Sequence, residues 1–349
     1  MSEATSGPEG LIEGPVDFDP ARLSAYLGGG EVRIRRISGG QSNPTYFVDH
    51  GGRALVLRKK PNGDLLPSAH QVDREYRVMA ALDGSGVPAP RMIALVEDPE
   101  VIGAAFYLME RLDGRVEHDS ALPGWSAAER AEGYADLARV LARLHGVDWA
   151  AAGLEGFGRP ENYFARQIAR WTRNWNTART REDANIEALS TWLAANVPAD
   201  DAPTIVHGDY RIGNVIWAKD APRVLGVLDW ELSTLGQPLA DLAHAACFWE
   251  FEPGQLGGVQ GLDLDRLGIP DLAGFARTYA AAGGSDTALS PFHRAFALFR
   301  FAVIFEGIAA RHQAGSAAGE DAAAVGALSA PAAAKAAAIL AGSAGWTAA

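Results

Sequence analysis

A chain of 349 residues that is 48% hydrophobic can build a sizeable core, and its formal net charge of −12 excludes general nucleic-acid binding, which needs a basic footprint. The single cysteine, Cys247, excludes a disulfide framework or a cysteine-rich zinc site; it fits a reducing compartment and reads as core filler beside Phe248 and Trp249. The start, MSEATSGPEGLIEGPVDFDP, lacks the basic and apolar regions of a secretory signal, and the most apolar late segment, Phe296 to Ala310, is interrupted by Arg300 and Glu306, so the expectation is a soluble, cytoplasmic protein with no membrane partner.

In chain order, residues 1–18 are rich in Gly, Pro and acid and read as a flexible N-terminal arm. Glu31 to Val48 reads as short strands around the turn Gly39-Gly40-Gln41-Ser42-Asn43-Pro44, and His50-Gly51-Gly52 turns the chain into a further strand, Ala54 to Arg58. Residues 68–82 have helical spacing, with Val72, Tyr76 and Met79 on one face and Asp83-Gly84 as a stop. Val101 to Leu112 is again strand-like. Beyond Gly114 the pattern turns helical: Tyr134, Leu137, Leu141 and Leu144 recur in residues 130–145, and Ile168, Trp171 and Trp175 form a stripe in residues 162–176. The Ala-rich tail from Ala318 reads as one helix on the surface.

The most informative run is His207-Gly208-Asp209-Tyr210-Arg211-Ile212-Gly213-Asn214, a loop between the β-like segments 204–206 and 215–217, with Asp229 at the end of the strand Val224 to Leu228. Asp209 can accept the proton of an attacking hydroxyl. Asn214 lies five residues on and Asp229 fifteen beyond that, both offering oxygens suited to a hard cation. Arg211 can neutralise charge on a moving phosphoryl group. An acid followed by an amide at this offset is the catalytic-loop pattern of kinases, and the set points to Mg²⁺-assisted phosphoryl transfer. His207 reads as structural, its ring locked by hydrogen bonds, and Asp241 as a support for the loop; Glu231 reads equally as a second metal ligand or a partner of a backbone amide.

With these residues in place the chain resembles the aminoglycoside phosphotransferase superfamily, on the strength of HGDxxxxN followed by an apolar strand and Asp-Trp-Glu. The segments VLRKKPNGDLLPSAHQVDREYRV and HGDYRIGNVIW…VLDWELSTLGQPLADLAH are most similar to the branch found alone in bacteria and fused to acyl-CoA dehydrogenases in animals, which is associated with phosphorylating 4-hydroxyacyl-CoA thioesters. The resemblance implies an α+β, two-lobed protein-kinase-like fold: after the arm, an N-lobe over 19–112 with a small antiparallel β-sheet and one helix, then a larger, mainly helical C-lobe over 113–349. It implies ATP and Mg²⁺ as cofactors, Asp209 as catalytic base, and Asn214 and Asp229 as metal ligands. Gly39, Gly40, Gln41, Ser42 and Asn43 would cover the nucleotide phosphates. Arg58 would grip them with Glu75 as its partner, and Met109, Glu110 and Leu112 would face the adenine. Arginine at position 58 departs from the usual lysine, and Lys60 on the same strand face offers a second cation; the glycine turn also lacks the full GxGxxG pattern.

One feature bears on the substrate directly. Between Arg159 and Arg181 stand Arg159, Arg166, Arg170, Arg173, Arg179 and Arg181 with a single acid, Glu161, a local reversal of sign in an acidic chain. Arginine forks suit phosphates, so an anionic small molecule such as an acyl-CoA is expected; the resemblance implies an acyl-CoA dehydrogenase as functional partner. A solvated helix face is the plainer reading of the same residues. Two further functions stay open: a kinase for an aminoglycoside or other amino alcohol, and a nucleotide-binding pseudokinase partner of a dehydrogenase.

Overall fold

The computed structural model describes residues 11–12, 16–37, 43–62, 71–199, 202–315 and 321–347, so Gly39, Gly40, Gln41 and Ser42 lie outside the described residues. The fold is α+β and divides into two compact units, one of residues 1–113 with 229–231, the other of 114–228 with 232–349.

The first unit is built on a six-stranded antiparallel sheet: β1 (Leu11–Ile12), β2 (Val32–Ile37), β3 (Thr45–His50), β4 (Arg53–Lys59), β5 (Met92–Val96) and β6 (Phe106–Glu110), in the order β1-β2-β3-β4-β6-β5. Gly51 and Gly52 turn β3 into β4 at φ 56° and 76°, the paired positive φ that a two-residue hairpin turn demands. Alternation along β4 sends Leu55 and Leu57 into a core with Tyr46, Val48, Phe106 and Leu108, and sends Arg58 to the opposite face. Lys59 falls on the core side and is fully buried. Its ammonium is held by Asp17 Oδ2 and Asn62 Oδ1, each at 2.8 Å, as a buried cation requires.

Of the expected arm, residues 11–12 and 16–18 are described, and they are tied to the sheet. Leu11–Ile12 pairs with β2, Tyr46 donates to Asp17 Oδ1 at 2.7 Å, and Phe18 packs edge-on against Tyr46. Among the described residues the unit also holds two helices where one was expected, α1 (Pro20–Tyr26) and α2 (Val72–Ala81). Asp19 caps α1 by accepting from Ala21 N at 2.8 Å, and Pro20 supplies the preset φ of a first helical turn. On α2 the buried face is Val72, Glu75, Val78 and Met79; Tyr76 is only half-buried, so a carboxylate occupies a position on the core stripe.

The second unit is mainly helical: α3 (Ala127–His145), α4 (Tyr163–Ala178), α5 (Ala184–Ala195), α6 (Pro238–Ala246), α7 (Leu264–Leu267), α8 (Leu272–Ala281), α9 (Pro291–Gln313), α10 (Ala322–Gly326) and α11 (Ser329–Leu340). Two short antiparallel pairs complete it, β7 (Thr204–Val206) with β10 (Thr234–Gly236), and β8 (Val215–Trp217) with β9 (Val224–Val227). Helix α3 starts in a reciprocal capping box between Ser126 and Glu129. Helix α9 is apolar nearly all round because α4, α5, α6, α10 and α11 all pack on it. Trp171 and Trp175 belong to that core, 8% and 2% exposed, rather than forming an open stacking surface.

Among the described residues the alanine-rich tail forms two helices, not one, and they pack into the core. Ala332, Ala333, Ala336 and Leu340 are fully buried in the cluster around α9, where small side chains let the helices approach closely. By length and composition alone Ala322–Leu340 is apolar enough to cross a membrane, against the expectation that no such run exists.

Candidate active site

In the second unit, the residues between β7 and β8 form a tight loop whose backbone is organised by buried side chains. Asp241, on the first turn of α6, accepts from the N–H groups of His207 at 2.6 Å and Gly208 at 2.8 Å. Burial works to raise the Asp241 pKa, but the hydrogen bond to His145 and the loop amides hold it below the usual carboxylate range. The loop can turn here because Gly208 has φ +88°, and a Cβ at this position would stand 2.7 Å from Leu232 O. His207 is fully buried. Its Nδ1 accepts from Asp209 N at 3.1 Å, so the proton sits on Nε2, which donates to Leu228 O at 2.9 Å. The ring thus ties the loop to the end of β9, one residue before Asp229.

Asp209 is the polar centre of the loop. Its Oδ2 accepts from Asn214 Nδ2 at 2.7 Å and more loosely from Arg211 Nε at 3.4 Å, while Oδ1 meets His244 Nε2 at 2.8 Å. Burial pushes its pKa up, yet the hydrogen bond from His244 and the charge of Arg211 outweigh it and hold the carboxyl well below its ordinary range. Asp209 is therefore ionised at neutral pH and, with its side chain 25% exposed, can receive a proton. Asn214 Nδ2 also donates to Asp209 O at 2.8 Å. Both bonds fix the amide, leaving Oδ1 as the end with no partner among the described residues.

In the first unit, Arg58 gathers three carboxylates. Its Nε lies 3.0 Å from Glu75 Oε2, its Nη2 3.3 Å from Asp229 Oδ1 and 3.9 Å from Glu231 Oε2. Asp229 adopts φ 64°, a conformation that aspartate tolerates better than most residues. Glu75 also accepts from Asn43 Nδ2 at 2.8 Å and from Tyr107 OH at 3.0 Å. Burial pushes Glu75 up to about 7 even though Arg58 pulls the other way. Arg58 is raised further above its already high value: burial opposes this, but Glu75, Asp229 and Glu231 prevail. Lys60, the alternative cation, lies instead 3.8 Å from Asp73. Asn43, expected over the phosphates, is buried with its amide on Glu75, because a buried carboxylate draws every donor in reach.

Met109 is buried, and Glu110 N donates to Arg91 O at 3.0 Å. Among the described residues, Leu112 N–H and C=O have no hydrogen-bond partner. No group of three or more His, Cys, Asp or Glu side chains that could hold a metal occurs among the described residues.

A family model described as "Phosphotransferase enzyme family" matches residues 33–296. The chain belongs to this phosphotransferase family. It is 40% identical over 306 residues to acyl-CoA dehydrogenase family member 10 of Mus musculus, and 40% identical over 321 residues to family member 11 of Gallus gallus. These matches take in 84% and 87% of this chain but only 28% and 41% of the two relatives. A solved structure from Ralstonia eutropha, provisionally named an aminoglycoside phosphotransferase, is 42% identical with a TM-score of 0.83, covering 90% of this chain and 96% of that one. A thermostable mutant of aminoglycoside phosphotransferase APH(4)-Ia, solved with AMP-PNP and hygromycin B, is 19% identical with a TM-score of 0.60, covering 93% and 98%, and shares the fold.

Two residues around the phosphotransferase loop were not evident from sequence. His244 lies three residues after Asp241, the helical spacing that puts both on the face of α6 toward the loop. Arg300 reaches from α9 to donate to Gly208 O, and its Nη1 stands 3.5 Å from His244 Nδ1. The signal for Arg300 was its place in an apolar run: a charge kept inside a core has an assigned partner.

Proposed function

We propose that this phosphotransferase moves the γ-phosphoryl group of ATP, with Mg²⁺, onto the hydroxyl of a hydroxyacyl-CoA. Asp209 orients the hydroxyl and takes its proton as the oxygen attacks phosphorus and the bond to ADP breaks. Asn214, through its Oδ1, which has no partner among the described residues, and Asp229 would hold Mg²⁺, a cation that usually takes one or two protein oxygens. Bound there, the ion neutralises phosphate charge. Arg58, held by Glu75, grips the nucleotide phosphates, Arg211 offsets charge on the transferring group, and the backbone at Met109, Glu110 and Leu112 receives the adenine. Single cations and hydrogen-bond donors aimed at developing charge each supply a few kcal/mol of barrier lowering, on the order of 3 kcal/mol.

The observation that supports an anionic acceptor is the unbalanced charge along α4. Arg179 and Arg181 are paired, with Glu187 at 3.2 Å and Glu306 at 3.0 Å. Arg159, Arg170 and Arg173 have no ion-pair partner among the described residues. Arg170 stacks 5.3 Å from the Trp171 ring, and burial together with the charges of Arg300 and Arg173 lowers its pKa. Such a field attracts the phosphates of coenzyme A and repels a polycationic aminoglycoside. The names of the two vertebrate relatives agree with acyl-CoA chemistry and with an acyl-CoA dehydrogenase as functional partner. The provisional name of the Ralstonia structure favours the aminoglycoside reading instead.

An acceptor comparison separates them: ATP turnover with 4-hydroxypentanoyl-CoA, with the free hydroxy acid, and with kanamycin. The CoA thioester should give the highest kcat/KM, and Arg170→Ala with Arg173→Ala should raise its KM about tenfold while leaving the free acid unchanged. Turnover of kanamycin alone would replace this reading with the aminoglycoside one.

A further inference from the structure

We infer that His244 is a positioning residue for Asp209: a neutral imidazole, fixed in its Nε2–H form by Arg300, that pins Oδ1 and so sets the plane of the carboxylate. The inference rests on Asp209 being the proton acceptor of the phosphotransferase. Three contacts carry it. His244 Nε2 lies 2.8 Å from Asp209 Oδ1, and an ionised carboxylate only accepts, so Nε2 carries the proton. At the other side of the ring, Nδ1 faces Arg300 Nη1 at 3.5 Å, and a guanidinium only donates, so Nδ1 is bare. The ring itself is clamped: its side chain is 2% exposed, and it stacks on Phe301 with centroids 4.8 Å apart and planes 15° from parallel.

This arrangement excludes the other obvious role, a proton relay. Nε2 is already protonated, and a proton added at Nδ1 would meet the positive guanidinium of Arg300. Arg300 is only 8% exposed and has no carboxylate partner among the described residues; it rests on Gly208 O and 5.5 Å from the Trp171 ring. Its charge acts on His244 among its neighbours. Burial and Arg300 lower the His244 pKa, opposed by Asp209 on the loop and Asp241 on α6. With Asn214 on Oδ2 and His244 on Oδ1, the carboxylate cannot rotate about its last bond without losing a donor. Orientation of this kind acts on the chemical step and leaves substrate affinity alone.

The test compares His244→Leu, which removes the donor, with His244→Gln, whose amide N–H can replace Nε2–H. His244→Leu should lower kcat at least about tenfold with both KM values within about twofold, and His244→Gln should recover most of the loss. Full kcat in His244→Leu, or a loss in KM that His244→Gln does not repair, would overturn the inference. A second readout needs no acceptor. Nitrogen-15 NMR of the wild-type protein should show His244 as the Nε2–H tautomer, with its Nε2 shift moved by Asp209→Asn. An Nδ1–H tautomer, or an Nε2 shift blind to Asp209→Asn, would overturn the inference even where no acceptor is turned over. If the NMR result holds and wild-type turnover fails, the acceptor assignment is at fault and the His244 contact stands.

Discussion

Arg58 Nε lies 3.0 Å from Oε2 of Glu75, and the Glu75 side chain is 2% exposed, so a strand cation and a helix carboxylate neutralise each other inside the first unit. Removing one partner strands the other. Arg58→Ala should cost about 3–5 kcal/mol of stability, the usual penalty for an uncompensated buried charge, whereas the double variant Arg58→Met with Glu75→Gln should regain most of it. Urea denaturation of the wild type, Arg58→Met, Glu75→Gln and the double variant measures the coupling; additive losses would show that the pair is not a unit.

Asp209 is ionised, hydrogen-bonded on both oxygens and partly open, as a proton acceptor must be. Asp209→Asn keeps the shape and removes the proposed base. Steady-state kinetics should show kcat about 10²- to 10⁴-fold lower, with nucleotide affinity by calorimetry unchanged. Retention of more than about a tenth of the wild-type rate would remove Asp209 from the role of base.

Gly208 combines φ +88° with a close approach to Leu232 O. Gly208→Ala meets both a disfavoured backbone region and a steric conflict with main chain, and should destabilise by about 1–3 kcal/mol while displacing Asp209. A thermal melt with a turnover assay tests this, and a variant of wild-type stability and rate would contradict this loop geometry.

His293 gives a pH-dependent contribution. It sits in the first turn of α9, where its Nδ1 accepts from Ser290 N at 3.2 Å, so protonation breaks the cap. Burial lowers its pKa from 6.5 to about 4. Because the folded value lies below the unfolded one, its stabilisation is present above pH 6.5 and is lost as pH falls through about 4. His293→Gln retains a capping-box acceptor without titrating. Relative to that variant, the wild type should lose on the order of 2 kcal/mol between pH 7 and pH 5. Parallel stability curves for the two proteins would show that His293 is not the group responsible.

Much of the loop was legible because its residues are consecutive: Asp209, Arg211 and Asn214 carry their spacing in the chain. Arg58 and Glu75 were placed by the family resemblance, and the stripe through Tyr76 hid that Glu75 lies on the buried face. What escaped was held by contacts distant in sequence. Nothing local to Lys59 reveals Asp17 as its counter-ion. Arg300 and Glu306 read as interruptions of an apolar run, whereas Arg300 supports the loop and Glu306 accepts from Thr180 N at 2.8 Å and pairs with Arg181. The tail misled because alanine is read as surface filler, when here its small size is what lets α11 pack against α9. Helix α1 had a signal in Asp19-Pro20 that apolar periodicity alone could not supply over so short a span.

The most direct test of phosphoryl transfer to an acyl-CoA hydroxyl is the mass of the product after incubation with ATP, Mg²⁺ and 4-hydroxypentanoyl-CoA, with Asp209→Asn alongside. The thioester should gain one phosphoryl group with the wild type and almost none with the variant. An unchanged thioester mass in the wild type, with ATP bound, would contradict the assignment of a hydroxyacyl-CoA as acceptor.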